Sequence, residues 1–153
     1  MYRFFEVFKT LKLPEDLAVY FENVEVTKVS KTSTNSLARV YIKSDRVIEK
    51  PIIFKVEDAL KKQIFRISNM DVRIIDRYVL SAQYTPQTVM DIYYDSILAE
   101  LEKYWTLEYN LLKNSQWEFE KEDMLVFTIE DSFLAHQLSL IHISEPTRLR
   151  CIS

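Results

Sequence analysis

The chain of 153 residues contains no glycine at all. A soluble chain of this length carries roughly ten. Glycine takes positive φ without steric cost and lets a backbone approach a ligand closely. Its absence removes the P-loop, the dinucleotide-binding fingerprint and the G-x-S-x-G nucleophile elbow from consideration. Turns must be built from Asn, Asp, Ser and Pro instead. The candidates are Thr34-Asn35-Ser36, Ser68-Asn69, Asn114-Ser115 and Glu122-Asp123.

Composition narrows the class further. A hydrophobic share of 48% with 28% charged residues is that of a folded chain. Its length fits one ordinary domain or two very small ones. No apolar run approaches the ~18 residues of a membrane span. Met1-Tyr2-Arg3-Phe4-Phe5-Glu6 has neither a long apolar core nor a small-residue cleavage site, so no signal peptide is expected. One cysteine cannot form an intramolecular disulfide, which fits a reducing, cytoplasmic setting.

The first part of the chain reads as one α+β unit. Phe4, Phe5, Val7, Phe8 and Leu11 make a short helical face, and Pro14-Glu15-Asp16 opens a second short helix. Val24-Glu25-Val26-Thr27 alternates as a half-buried strand, and Val29 breaks the period, as a bulge would. Ala38, Val40 and Ile42 alternate with Arg39, Tyr41 and Lys43 as its hairpin partner. Pro51 begins a helix with Ile53, Val56, Leu60 and Ile64 on one face. Asn69 makes the next turn, and Asp71-Val72-Arg73-Ile74-Ile75 is the third strand. Helices on one face of a three-stranded sheet follow.

The second part repeats that order. Thr85 is a good N-cap and Pro86 suits the first helical position. Val89, Ile92, Tyr93, Ser96, Ile97, Leu101 and Tyr104 mark one side of a helix of about five turns. A second helix spans Leu107 to Leu112. Trp117 and Phe119 then pair with Leu125, Phe127 and Ile129 in a hairpin with an aromatic face. Asp131 or Ser132 caps a further helix with Phe133 and Leu134, and no convincing last strand follows. The expected fold class is α+β: two small units, each of short helices packed on an antiparallel-rich sheet, the second unit incomplete.

Residues 138–153 stand apart. Leu138-Ser139-Leu140-Ile141-His142-Ile143-Ser144-Glu145-Pro146-Thr147-Arg148 is the translation of a transposase-type sequencing adapter, and Ile152-Ser153 fits the fixed bases beyond its barcode. This tail is expected to be non-native and is set aside from fold reasoning. Cys151 and His142 leave the functional inventory with it.

Little catalytic chemistry remains. His136 alone, without cysteine, makes a zinc site improbable. Glu118, Glu120, Glu122, Asp123, Glu130 and Asp131 cluster in sequence and invite a two-metal or paired-carboxylate reading. The simpler reading is a solvated strand face and turn, because Glu118 and Glu120 alternate with Trp117 and Phe119. Tyr93, Tyr94, Tyr104, Trp105, Tyr109 and Trp117 can stack bases, or can serve a small core with their polar tips in water. A standalone enzyme would need a polar pocket with perturbed carboxylates.

Charge divides the chain. Residues 1–80 hold 15 Lys/Arg against 11 Asp/Glu, a balance of +4; residues 81–137 hold 3 against 11, a balance of −8. A mildly basic first unit can meet nucleic acid or an acidic partner. The contact residues expected for it are Lys55, Lys61, Lys62 and Arg66. The acidic second unit would repel phosphate.

Several segments carry a family resemblance. They are Phe4-Phe5-Glu6-Val7-Phe8, Leu11-Lys12-Leu13, Val24-Glu25-Val26-Thr27-Lys28-Val29, Ser44-Asp45-Arg46 and, above all, Leu80-Ser81-Ala82-Gln83-Tyr84-Thr85-Pro86. Asp95-Ser96-Ile97-Leu98 and Glu108-Tyr109-Asn110-Leu111 fit with them. Together they resemble the N-terminus of PolC-type DNA polymerase III alpha subunits, over about residues 2–137. The resemblance implies a parent enzyme that extends DNA primers with a divalent metal, Mg, and proofreads with a 3′–5′ exonuclease. Its catalytic centres lie outside the matching segment, so no catalytic, metal-binding or cofactor-binding residue carries over. Residues 1–79 would be the first N-terminal domain, similar in layout to a truncated KH-like domain, and 80–137 the start of the second. The glycine loop by which KH domains clamp nucleic acid is absent. The implied role is a non-catalytic module docking to replisome proteins, such as the clamp loader or another polymerase-holoenzyme component, with no membrane partner. The alternative is a weak DNA-contacting module through the basic first unit.

Overall fold

The structure is a computed structural model, and it describes residues 1–32, 36–121, 124–130, 132–133 and 135–136, with 149–152 described for the backbone alone. The expected turn residues Thr34, Asn35, Glu122 and Asp123, the expected cap Asp131, the helix residue Leu134 and residues 138–148 of the tail lie outside these. The chain forms two compact units, Met1–Tyr84 and Thr85–Ser153. Both are α+β.

In the first unit, β1 (Tyr2–Arg3) leads into α1 (Phe4–Val7) and α2 (Glu15–Phe21). The Glu6 carboxylate accepts a hydrogen bond from the Arg3 N–H at 3.0 Å, which holds the first turn of α1. The hairpin follows as β2 (Glu25–Thr32) and β3 (Leu37–Ser44), then α3 (Lys50–Gln63), a 3-10 turn at Arg66–Ser68 and β4 (Asp71–Tyr78). The sheet order is β1-β2-β3-β4. It therefore has four strands rather than the three expected. β1 is only two residues long, too short to show a period, yet Tyr2 pairs with Val26 and Arg3 with Glu25.

The β2–β3 register slips between Val26 and Lys28, so Thr27 is the bulge residue that throws Val29 out of phase. The bulge puts Val29 opposite Val40, on the core side of the sheet, where it is 45% exposed. β4 runs parallel to β3, with Val40 opposite Ile74. Parallel neighbours need a crossover, and α3 supplies it. Ser36 and Asn69 take positive φ, 46° and 45°, at the two places where a glycine would be usual.

The core lies on one face of this sheet. Ala38, Val40 and Ile42 of β3 and Val72 and Ile74 of β4 meet Ile53, Val56 and Leu60 of α3, all buried. Phe4 is fully buried, its ring centroid 4.7 Å from Phe21 and 5.1 Å from Phe8. Each such side chain contributes roughly 1.5–3 kcal/mol by leaving water. A two-way amide clasp ties the loop after α1 to the end of α3. Lys12 N–H donates to Gln63 Oε1 at 2.8 Å, and Gln63 Nε2 donates to the Lys12 carbonyl at 2.9 Å.

The second unit contains α4 (Pro86–Tyr104), α5 (Thr106–Leu112), β5 (Gln116–Lys121), β6 (Met124–Glu130) and β7 (Leu149–Ile152). Thr85 caps α4, its hydroxyl accepting from the Thr88 N–H at 3.2 Å. The expected side of α4 is mostly covered, with Val89, Tyr93, Ser96, Ile97 and Leu101 at least partly buried, but it is shifted at its margins. Met90 and Ser96 are buried, whereas Ile92 is 45% and Tyr104 37% exposed. Tyr94 ties α4 to its neighbours: its hydroxyl donates to the Leu112 carbonyl at 3.0 Å, and its ring lies 5.9 Å from Trp117. Trp117 stands opposite Phe127 and Phe119 opposite Leu125, the expected aromatic face. Val126 and Ile129 are buried on opposite faces of β6, as suits a central strand. Ser132 is a helix cap, its hydroxyl accepting from the Ala135 N–H at 3.2 Å.

The sequence showed no convincing last strand here, but the backbone of β7 pairs in parallel with β6, Phe127 opposite Leu149. The pairing sequence of β5-β6-β7, antiparallel then parallel, is that of β2-β3-β4.

Candidate interaction face

The four basic residues singled out in the sequence all sit on the α3 side of the first unit, and all are exposed. Lys55 and Lys62 are seven residues apart, two helical turns, so they share one side of α3. Asp58 stands between them at helical spacing and weakens their joint field. Lys61 turns to β4, where its Nζ lies 2.5 Å from Asp71 Oδ1. Arg66 lies beyond α3, in the 3-10 turn. The structure brings Lys55 and Lys62 onto one side and pairs Lys61 with Asp71 at the surface.

The buried charges of this unit hold the fold together. Lys50, in the first turn of α3, meets Asp76 of β4 at 2.5 Å, and both side chains are 7% exposed. Burial alone would raise the Asp76 carboxyl. The Lys50 ammonium and the Tyr78 hydroxyl outweigh it and hold Asp76 below its ordinary value. The Tyr78 hydroxyl oxygen also accepts from the Ile48 N–H at 3.4 Å, which ties it to the loop entering α3. Glu57, buried in mid-helix, accepts from the Ile74 N–H at 2.7 Å. β4 is an edge strand, and this carboxylate covers one of its outward N–H groups.

The opposite face of the sheet is different. Alternation places Arg39, Tyr41 and Lys43 of β3 there, with Arg73, Ile75 and Arg77 of β4. Because β4 is parallel to β3, Arg39 stands opposite Arg73, Tyr41 opposite Ile75 and Lys43 opposite Arg77. Lys28 of β2 joins them, its Nζ 5.6 Å above the Tyr41 ring. A shallow depression of about 500 Å³ lies among them, lined by Met1, Thr27, Tyr41, Lys43, Ile75, Arg77 and Val79. Two cations, Lys43 and Arg77, therefore line a mainly apolar hollow, and Lys28, Arg39 and Arg73 stand on the same face. Two acids share this face: Glu25 stands directly opposite Lys43, and Asp71, at the start of β4, is engaged by Lys61.

Sequence reasoning missed this face. Its signal was present as Arg39-x-Tyr41-x-Lys43 and Arg73-x-Ile75-x-Arg77, two strands with cations on one parity. Only the parallel register turns two sparse patterns into one field.

In the second unit, Glu118 and Glu120 are exposed on the side of β5 away from Trp117 and Phe119. No group of three His, Cys, Asp or Glu side chains able to hold a metal occurs among the described residues. Among them also, no helix is long and apolar enough to cross a membrane.

The first unit is thus a small α+β domain with a filled core on one side of its sheet and an open basic surface on the other. Residues 3–74 match the family model described as DNA polymerase III polC-type N-terminus I, so the first unit is similar to that N-terminal domain. No curated protein and no solved structure matches the chain.

Proposed function

We propose that this chain is a non-catalytic docking region at the front of a bacterial replicative DNA polymerase, holding the enzyme to another replisome protein. The parent protein would carry out DNA-templated synthesis with 3′–5′ proofreading, through centres outside these residues. The observation that supports this most is the use of charge in the first unit. Lys50 with Asp76, and Glu57 with the Ile74 N–H, brace the fold, while the cations of β3 and β4 form an open surface. Purified clamp-loader subunits and other polymerase-holoenzyme components, passed one at a time over the immobilised chain, test the proposal. Retention of at least one is expected. If none is retained, the docking role is wrong.

Contact with DNA through α3 is the second reading, favoured by Lys55 and Lys62 sharing one exposed side with Arg66 just beyond. It requires binding to primed DNA that falls with log salt at a slope of about −2 to −3, one cation per phosphate. Binding to primed DNA that ignores salt, or none, excludes it.

A further inference from the structure

We infer that the open face of the first sheet is the seat for an acidic peptide segment carrying an apolar anchor. This rests on the docking role above and names the kind of partner segment it would take. The pair Lys43 and Arg77 and the pair Arg39 and Arg73 lie four residues apart along parallel strands, a separation of about 13 Å. Between them sit Tyr41 and Ile75, and the hollow of about 500 Å³ opens beside Ile75 and Val79. An extended segment laid along the strands meets cations at both ends and an apolar floor in the middle. Carboxylates suit the former and a Leu or Phe side chain the latter.

The floor argues against nucleic acid. Sheets that bind single strands offer exposed aromatic rings on which two or three bases stack. Here Tyr41 is the one aromatic ring in the hollow's lining, and the Lys28 ammonium already lies over it. The remaining floor is aliphatic. A base gains little on such a surface, whereas an aliphatic or aromatic side chain is buried by it.

The test is fluorescence anisotropy with the full chain and three labelled probes. The first is a peptide with Leu-Phe between two runs of aspartates. The second is the same peptide with Ala-Ala in place of Leu-Phe. The third is an oligothymidylate of about twelve nucleotides, within the usual single-strand site size. The first peptide is expected to bind, with about tenfold loss on removing the anchor and at least tenfold loss in the double variant Lys43→Glu/Arg77→Glu. Circular dichroism checks that this variant folds, and Lys43→Gln/Arg77→Gln replaces it if it does not. Equal binding of the two peptides, no binding of the first, or tighter binding of the oligothymidylate overturns the inference. The holoenzyme assay separates the two proposals. A clamp-loader subunit retained equally by wild type and double variant removes this face but leaves the docking role standing. No retention by wild type removes the docking role itself.

Discussion

Lys50 and Asp76 meet at 2.5 Å where the start of α3 crosses β4, each side chain 7% exposed. A cation in the first turn of a helix opposes the helix dipole, so Lys50 depends on its partner. Removing one member of a buried pair leaves the other charge uncompensated. Asp76→Ala is expected to cost roughly 3–5 kcal/mol, and the double change Lys50→Met/Asp76→Leu much less. Urea unfolding followed by circular dichroism measures both. A small loss in the single variant would mean that the pair is solvated and energetically minor.

The same pair predicts a pH dependence. Asp76 titrates below its ordinary value of 3.8. A carboxyl whose pKa is lower in the folded state than in the unfolded one binds fewer protons when folded. Its contribution is therefore complete above the unfolded value and is lost as the pH falls through the folded one. Stability of the first unit should hold through neutral pH and drop below about pH 4. In Asp76→Asn that acid-side drop should be shallower, as read from unfolding midpoints at a series of pH values.

Asn69 sits at φ 45° between the 3-10 turn and β4. Asparagine tolerates this region; a residue with an ordinary Cβ pays about 1–2 kcal/mol there. Asn69→Ala should destabilise the first unit by about that amount, and Asn69→Gly should be close to neutral. Thermal unfolding of the two variants distinguishes a backbone cause from a lost side-chain contact, since only a backbone cause makes glycine benign.

Residues 138–153 read as translated adapter, and the first unit is compact without them. A chain ending at Gln137 should keep the unfolding transition of the first unit unchanged. In the second unit it should lose amide protection along β6, whose parallel partner β7 is removed. Hydrogen exchange reports the two units separately. A shift in protection of β3 or β4 on truncation would show that the tail supports the first unit.

Much of this fold could be read from residue patterns. The periods of β2, β3 and α3, the N-cap at Thr85 and the turn at Asn69 each rest on local chemistry, and each stands where expected. What could not be read depends on distant partners. β1 is two residues held by β2. The part Tyr94 plays on α4 follows from its reach to Leu112 and Trp117. The direction of β4 decides which cations of β3 and β4 become neighbours, and no single strand encodes that. The ion pair of Lys61 with Asp71 was not legible either, because its partner is ten positions away, on another element.

Arg39 opposite Arg73 and Lys43 opposite Arg77 are like charges set side by side on a sheet. Such pairs push adjacent strands apart and weaken their ladder. Part of that repulsion is met within the domain, where Glu25 stands opposite Lys43, and an anion laid along the seam would offset more of it. Occupancy and rigidity would then be coupled: a negative surface settling on the seam would also firm the ladder that receives it.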